Sequence, residues 1–348
     1  MTNKPNILLV YTGGTIGMVK DYETKALIAF DFSQIIEKIP ELKQLNCTIE
    51  SICFDEPIDS SNMNTDYYVD IVNILEKNYN NFDGFVVLTG SDTMAYTSSA
   101  ISFMLENLQK PIIFTGSQLP IGDLRTDAKE NLITSIEIAS ANKKGSPVIT
   151  EVCLYFEYKL YRANRTTKIS AEQFEAFTSF NFPPLAESGV HLKFNEHVNN
   201  LTKDIEKKFF VRKDLVKDVV VLKLFPGISL LVVESILNIK NLKGVVLETY
   251  GSGNAPNSDS FIALLKKAIE KGIKIVNVTQ CKSGRVIMGH YDTSVLLKEI
   301  GVVNGMDITT ESAVAKMMYL LNENLSSVEF KKVFETSLRG ELTDKYHF

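Results

Sequence analysis

The chain reads as an α/β protein in two parts: a larger N-terminal domain with a mostly parallel sheet flanked by helices, and a smaller Rossmann-like α/β C-terminal domain. Three observations predict this. Short apolar runs that stop at Gly, Thr or Asn alternate with segments of helical period, the pattern of a parallel sheet. A charge-dense stretch, "NEHVNNLTKDIEKKFFVRKDLVKD", interrupts that alternation. Beyond it the alternation resumes in a second set. A chain of 348 residues is expected to form two domains. The composition places them at residues 1–194 and 219–348, with 195–218 as a connection that carries a strand near Phe209–Val211.

In chain order, strands are expected near residues 7–11, 85–89, 111–115 and 148–156. Tyr68, Ile71, Val72 and Leu75 recur at helical spacing, as do Ile101, Met104, Leu105 and Leu108, so each set lines one face of a helix. "TDAKENLITSIEIA" opens with Asp127 and Glu130 in capping-box spacing and turns Leu132, Ile133 and Ile136 inward. In the second set "VVVLKL", "GVVLETY" and "IKIVNVT" are strands, and Thr310 to Leu338 forms two closing helices.

Three of the strands end alike: Thr12-Gly13-Gly14-Thr15, Thr89-Gly90-Ser91-Asp92 and Thr115-Gly116-Ser117-Gln118. In open parallel sheets ligands bind beyond the carboxyl ends of the strands. Glycine there lets the backbone turn and approach a ligand, while the hydroxyls supply donors, acceptors or a nucleophile. One such ending is an ordinary strand terminus; three describe a polar pocket. Asp92 is open to two uses, capping the helix that follows or holding a cation beside Ser91. Asp59-Ser60-Ser61 reads as an Asx-turn or as a polar cluster of the same pocket. "YRANRTTK" gathers Arg162, Arg165, two threonines and Lys168. Charge runs are usually solvated faces, yet a lysine near Ser91 and Asp92 would form the Ser/Thr–Lys–acid arrangement that activates a hydroxyl. A neighbouring carboxylate favours the ammonium, whereas a base must be neutral, so burial has to oppose that pairing.

Bulk properties narrow the classes. A net charge of −5 without a long basic run argues against nucleic acid. No segment approaches the length of apolar chain that crosses a membrane, and no leader is read ahead of the first strand. Cys47, Cys53, Cys153 and Cys281 are sparse and lack CxxC spacing, which suggests reduced thiols and a cytoplasmic location. Cys47 and Cys53 read as half-buried strand thiols. The four histidines show no metal spacing. "YGSGNAP" resembles a dinucleotide loop, but Pro256 stands where the third glycine belongs.

The motifs "TGGTIG", "DSSNM", "GSDTMAYTSSAISFMLENL", "TGSQLPIGDLRTDAKENL", "LYRANRTTK", "YGSGNAP", "TQCKSG" and "LRGELT" resemble those of the bacterial type I, cytoplasmic L-asparaginases across nearly the whole chain. The resemblance implies hydrolysis of L-asparagine without metal or organic cofactor. It implies Thr15 as nucleophile, with Ser91, Lys168 and Asp92 as second hydroxyl, base and acid. Asp59, Ser60 and Ser61 would hold the α-amino and α-carboxylate groups, with Asp92 sharing the ammonium and backbone N–H groups near Gly90 and Ser117 forming an oxyanion hole. It further implies a homodimer or dimer of dimers, with Asn254 completing a neighbour's site.

Three departures follow. Thr89-Gly90-Ser91-Asp92 replaces the family's His-Gly-Thr-Asp, and Ser91 lacks the methyl that restricts threonine. The family's loop tyrosine has one counterpart in "MVKDYETKALIAF", Tyr22, several residues early. At the positions of an allosteric asparagine site some members carry, this chain has Thr167, Cys281 and, in place of an arginine, Glu248, which would repel a carboxylate. Activation by asparagine is therefore expected to be weak or absent. Competing readings are a non-catalytic amino-acid sensor, the ammonia-releasing subunit of a tRNA-dependent amidotransferase, and a nucleotide-dependent enzyme.

Overall fold

A computed structural model describes residues 4–20, 27–29, 39–198, 206–289 and 292–343. Tyr22 lies outside them. The chain divides into two compact units, Met1–Lys213 and Asp214–Phe348.

The first unit is built on an eight-stranded sheet. Its strands are β1 (Asn6–Gly13), β2 (Thr48–Ile58), β3 (Gly84–Leu88), β4 (Ile112–Thr115), β5 (Val152–Phe156), β6 (Lys159–Arg162), β7 (Ala186–Ser188) and β8 (Leu192–Phe194). They lie in the order β8-β7-β6-β5-β4-β3-β1-β2. The pairs from β2 across to β5 are parallel, and the pairs from β5 to β8 are antiparallel. Ile7–Tyr11, Phe85–Leu88 and Ile112–Phe114 are 0–1% exposed. Burial on both faces explains why these strands read as continuous apolar runs rather than alternating ones. Helices α1 (Thr65–Asn78), α2 (Met94–Met104) and α3 (Ala128–Ser140) connect them.

Two local expectations need correction. The apolar spacing through Leu108 does not extend α2 past Met104: Leu105–Glu106 instead pairs antiparallel with Phe210–Val211, and Asn107 adopts a left-handed φ of 55°. Leu105 and Leu108 are buried all the same, so periodicity found the burial and missed the conformation. The strand expected from residue 148 starts at Val152. Against the expectation of two half-buried strand thiols, Cys47 is half-buried just ahead of β2 and Cys53 is exposed on it; neither is in a disulfide.

The second unit has a four-stranded parallel sheet, β9 (Val219–Lys223), β10 (Gly244–Thr249), β11 (Lys274–Thr279) and β12 (Val303–Asn304), in sequential order. Its helices are α4 (Leu230–Leu237), α5 (Asp259–Glu270), α6 (Asp292–Glu299), α7 (Thr310–Leu320) and α8 (Ser327–Phe334). A capping box between Ser326 and Glu329 starts α8. The fold is the mixed α/β architecture expected: a large, mostly parallel sheet with helices and a separate parallel C-terminal sheet. Among the described residues no helix is long and apolar enough to cross a membrane.

Candidate active site

Register brings the three similar strand endings to one sheet edge. Tyr11 of β1 lies beside Leu88 of β3, and Leu88 beside Thr115 of β4. The following residues therefore leave the sheet together, at its carboxyl end. The first threonine of each ending serves the sheet in two cases: Thr12 donates to the Leu88 carbonyl at 3.0 Å and Thr115 to the Tyr155 carbonyl at 2.9 Å.

Two glycines let the loops close on one another. Gly14 has φ 86°, and a Cβ on it would stand 2.4 Å from the Gly90 nitrogen. A Cβ on Gly90 would meet the Ser60 side chain at 2.5 Å. Any side chain at either position would drive the loops apart. Thr15, half-buried at the start of a single 3-10 turn, and Ser91 each follow one of these abutting glycines. Thr93 donates to the Ser60 carbonyl at 2.9 Å and ties the Asp59–Asn62 turn to the same place. Asp59 accepts from the Ser61 N–H and hydroxyl, both at 2.8 Å. Those two bonds hold its exposed carboxyl below the usual carboxylate range.

Lys168 is carried on a separate short antiparallel pair, Thr167–Lys168 with Phe177–Thr178. Its Nζ donates to Ser91 Oγ at 2.9 Å and to Asp92 Oδ1 at 2.7 Å, across more than 70 residues of sequence. The lysine side chain is 17% exposed and the aspartate 70%. Ser91 in turn donates to Gln118 Oε1 at 3.3 Å, so one hydroxyl joins Lys168 to Gln118. Asp92 makes the ion pair, and α2 starts from Thr93 without a side-chain cap.

The charge run that leads to Lys168 is not a solvated face. Arg162 and Arg165 are 4% and 3% exposed. Arg162 pairs with buried Glu151 at 2.5 Å, and both guanidiniums lie over the Phe182 ring. Beside them, Asn164 donates to Ser102 on the polar face of α2. The turn that carries Lys168 is thus anchored in the core.

Ser117 is buried and its hydroxyl donates to the Leu119 carbonyl at 2.6 Å, so what it presents is its backbone. Asp127 does not cap α3. Its carboxylate accepts from the Gln118 and Leu119 N–H groups at 2.8 and 3.0 Å, holding the loop after β4. Burial raises its carboxyl, against those two bonds. Spacing alone could not separate a cap from a loop clamp, because both place an acid at the head of a helix.

Thr167 is buried next to Lys168. Asn254 sits in the second unit, in a tight turn whose backbone pairs with Tyr250. Glu248, also there, accepts from Thr310 at 2.6 Å and faces Lys223 at 3.5 Å. Cys281 is exposed in the loop after β11. Gln118 was missed as a partner of Ser91, although it stands in the T-G-S-Q ending itself. Among the described residues no cluster of three or more His, Cys, Asp or Glu is arranged to hold a metal ion.

Residues 6–200 match the family model described as Asparaginase, N-terminal, and residues 218–334 that described as Glutaminase/Asparaginase C-terminal domain. The chain is 40% identical to L-asparaginase 1 of Escherichia coli (strain K12), over 98% of both proteins. It is 38% identical to the 60 kDa lysophospholipase of Mus musculus, over 97% of this chain and 62% of that protein. The crystal structure of L-asparaginase I from Vibrio cholerae superimposes with a TM-score of 0.89 at 39% identity, covering 98% of this chain and 99% of that one.

Proposed function

The chain belongs to the asparaginase family, and on that premise we propose that it is an amidohydrolase converting L-asparagine to L-aspartate and ammonia. The observation that carries this reading is the Lys168 ammonium shared by Ser91 and Asp92, at the edge where the Gly14 backbone meets Gly90.

In this reading the Thr15 hydroxyl attacks the side-chain amide carbon. Its proton passes by way of Ser91 to Lys168 in the lysine's deprotonated form. Collapse of the tetrahedral intermediate breaks the C–N bond, and the protonated lysine delivers that proton to the departing amine. Ammonia leaves and a β-aspartyl ester remains on Thr15. Water, activated by the same group, then cleaves the ester and regenerates the hydroxyl. Asp59, kept ionised by Ser61, and the exposed Asp92 carboxylate suit the substrate's α-ammonium. Backbone N–H groups at Gly90 and Ser117 are the assigned oxyanion donors, each worth about 10²–10³ in rate.

The same reading makes the protein a cytoplasmic homodimer or dimer of dimers, with Asn254 finishing a neighbour's site. Four cysteines outside any disulfide accord with a reducing compartment. Ammonia release from L-asparagine by the wild type, and its loss in Thr15→Ala, tests the assignment. Tight binding of asparagine by a wild type that releases no ammonia would replace it with the sensor reading.

A further inference from the structure

Behind the Gly116–Leu119 loop, two buried residues of the first turn of α3 do work that the helix itself does not need. Asp127 is 5% exposed and Asn131 is fully buried. Asn131 Nδ2 donates to the Gly116 carbonyl at 3.0 Å and to Asp127 Oδ2 at 3.3 Å. Its Oδ1 accepts from the Glu157 N–H at 3.0 Å. Asp127 spends its oxygens on the Gln118 and Leu119 N–H groups. A helix start normally recovers about 1 kcal/mol from an aspartate cap, and here that use is given up.

Glu157 shows how firmly the far end is set. It and Tyr158 form the two-residue turn between β5 and β6, both left-handed, with φ of 41° and 70°. Neither is a glycine, so the turn costs energy that its surroundings must offset. The bond from the Glu157 N–H to Asn131 is part of that support.

The loop so held carries Gln118, whose amide is also used at both ends. Nε2 donates to the Gln173 carbonyl at 3.0 Å, and Oε1 accepts the Ser91 hydroxyl proton at 3.3 Å. While Lys168 is the ammonium donor, the single Ser91 proton rests on Gln118 and a lone pair accepts from Lys168; once the lysine is deprotonated that proton turns to it, the Ser91 oxygen staying in place. Serine lacks the β-methyl that would otherwise fix its rotamer, so an external partner has to set its direction.

We propose that Asn131 is a positioning residue for the reaction: with Asp127 it fixes the Gly116–Leu119 loop, and through Gln118 it holds the Ser91 oxygen against Lys168. This rests on the amidohydrolase reading of the site. Asn131 touches no substrate; it acts through the loop, on Ser91 by way of Gln118 and on the assigned oxyanion donor because the Gly116 carbonyl it holds shares a peptide with the Ser117 N–H. The consequence is a rate effect without a binding effect, since misplacing a catalytic group by about 1 Å can cost about 10² in rate.

The test is a double-mutant cycle on full-length protein with asparagine as substrate, read together with amide hydrogen exchange. Asn131→Ala is expected to lower kcat about 10–100-fold with KM changed by no more than about 3-fold. Added to Gln118→Ala, it should cost clearly less than it does in wild type, because part of its effect passes through Gln118. Gln118 and Leu119 amides should exchange faster while β1 and β3 keep wild-type protection. Asp127→Asn, which keeps the side-chain shape, should repeat the pattern if Asn131→Ala does not fold. Losses that multiply in the double variant, or a lowered Tm with full kcat and unchanged exchange at Gln118, would overturn the proposal. If wild type releases no ammonia, the amidohydrolase reading falls, and the exchange arm still decides whether Asn131 holds the loop.

Discussion

Lys168 in the first unit and Lys316 in the second are both paired with a carboxylate, and they could hardly be used more differently. Lys316 and Glu341 are both 0% exposed. Lys316 donates to the Phe334 and Thr336 carbonyls, each at 2.7 Å, and to Glu341. All three of its protons are engaged. Glu341 also accepts from the Leu338 and Arg339 N–H groups. Burial alone would raise its carboxyl, but Lys316 and those bonds together hold it below the usual range. Lys168 instead has a hydroxyl and a largely exposed carboxylate as partners. A proton on Lys316 has nowhere to go, whereas one on Lys168 is a short step from a hydroxyl. A lysine–acid contact marks chemistry only when a partner can pass the proton on.

Lys168→Met is expected to break the first pair with the largest effect, lowering kcat about 10²–10⁴-fold. Its Tm should stay near wild type, because a pair with one exposed member contributes little to stability. Lys316→Met should do the reverse. It strands the Glu341 carboxylate in the core and destabilises the second unit by about 3–5 kcal/mol in chemical denaturation. Adding Glu341→Gln should recover part of that loss. Equal effects of the two lysine variants on kcat per folded molecule would erase the contrast.

A smaller effect separates two buried glutamates. Burial, with Asp127, Glu130 and Glu175 nearby, pushes Glu157 up to about 7. The folded state then binds more protons than the unfolded chain between roughly pH 4.5 and 7, so its contribution is complete below that window and declines as pH rises through it. Glu341, held low, contributes above its unfolded value and loses that contribution as pH falls below it. Glu157→Gln should therefore raise stability at pH 8 by about 1–2 kcal/mol and change little at pH 4. Thermal melts across pH check this.

The smallest expected effect concerns Glu248, already engaged by Thr310 and Lys223. An acid so placed offers nothing to a substrate carboxylate, and the asparagine rate curve is expected to be hyperbolic in wild type and in Glu248→Gln. A clearly sigmoidal wild-type curve would contradict that.

Much of this fold is legible in the sequence, because fully buried parallel strands leave unbroken apolar runs and their carboxyl ends collect Thr, Gly and Ser. The convergence of Thr15, Asp59 and Ser91 follows from strand register, which the T-G endings signal. The YRANRTTK run offers Lys168 as a candidate partner of Ser91 and Asp92, but no local spacing connects them, and the family motif supplies that link. Asp127 was misread because a cap and a loop clamp share one spacing. Arg162 and Arg165 looked solvated because sequence does not reveal Glu151 and Phe182 beneath them. Lys316 gave no signal, because a lysine on an amphipathic helix ordinarily faces water. The strand β12, two residues long, is too short to show a period.

In the proposed reaction Thr15, rather than Ser91, carries the acyl group. Acid quenching of wild type during turnover of L-asparagine, then peptide mass spectrometry, tests it most directly. An aspartyl adduct is expected on Thr15 in wild type and absent in Thr15→Ala. An adduct on Ser91, or steady ammonia release by Thr15→Ala, would contradict it.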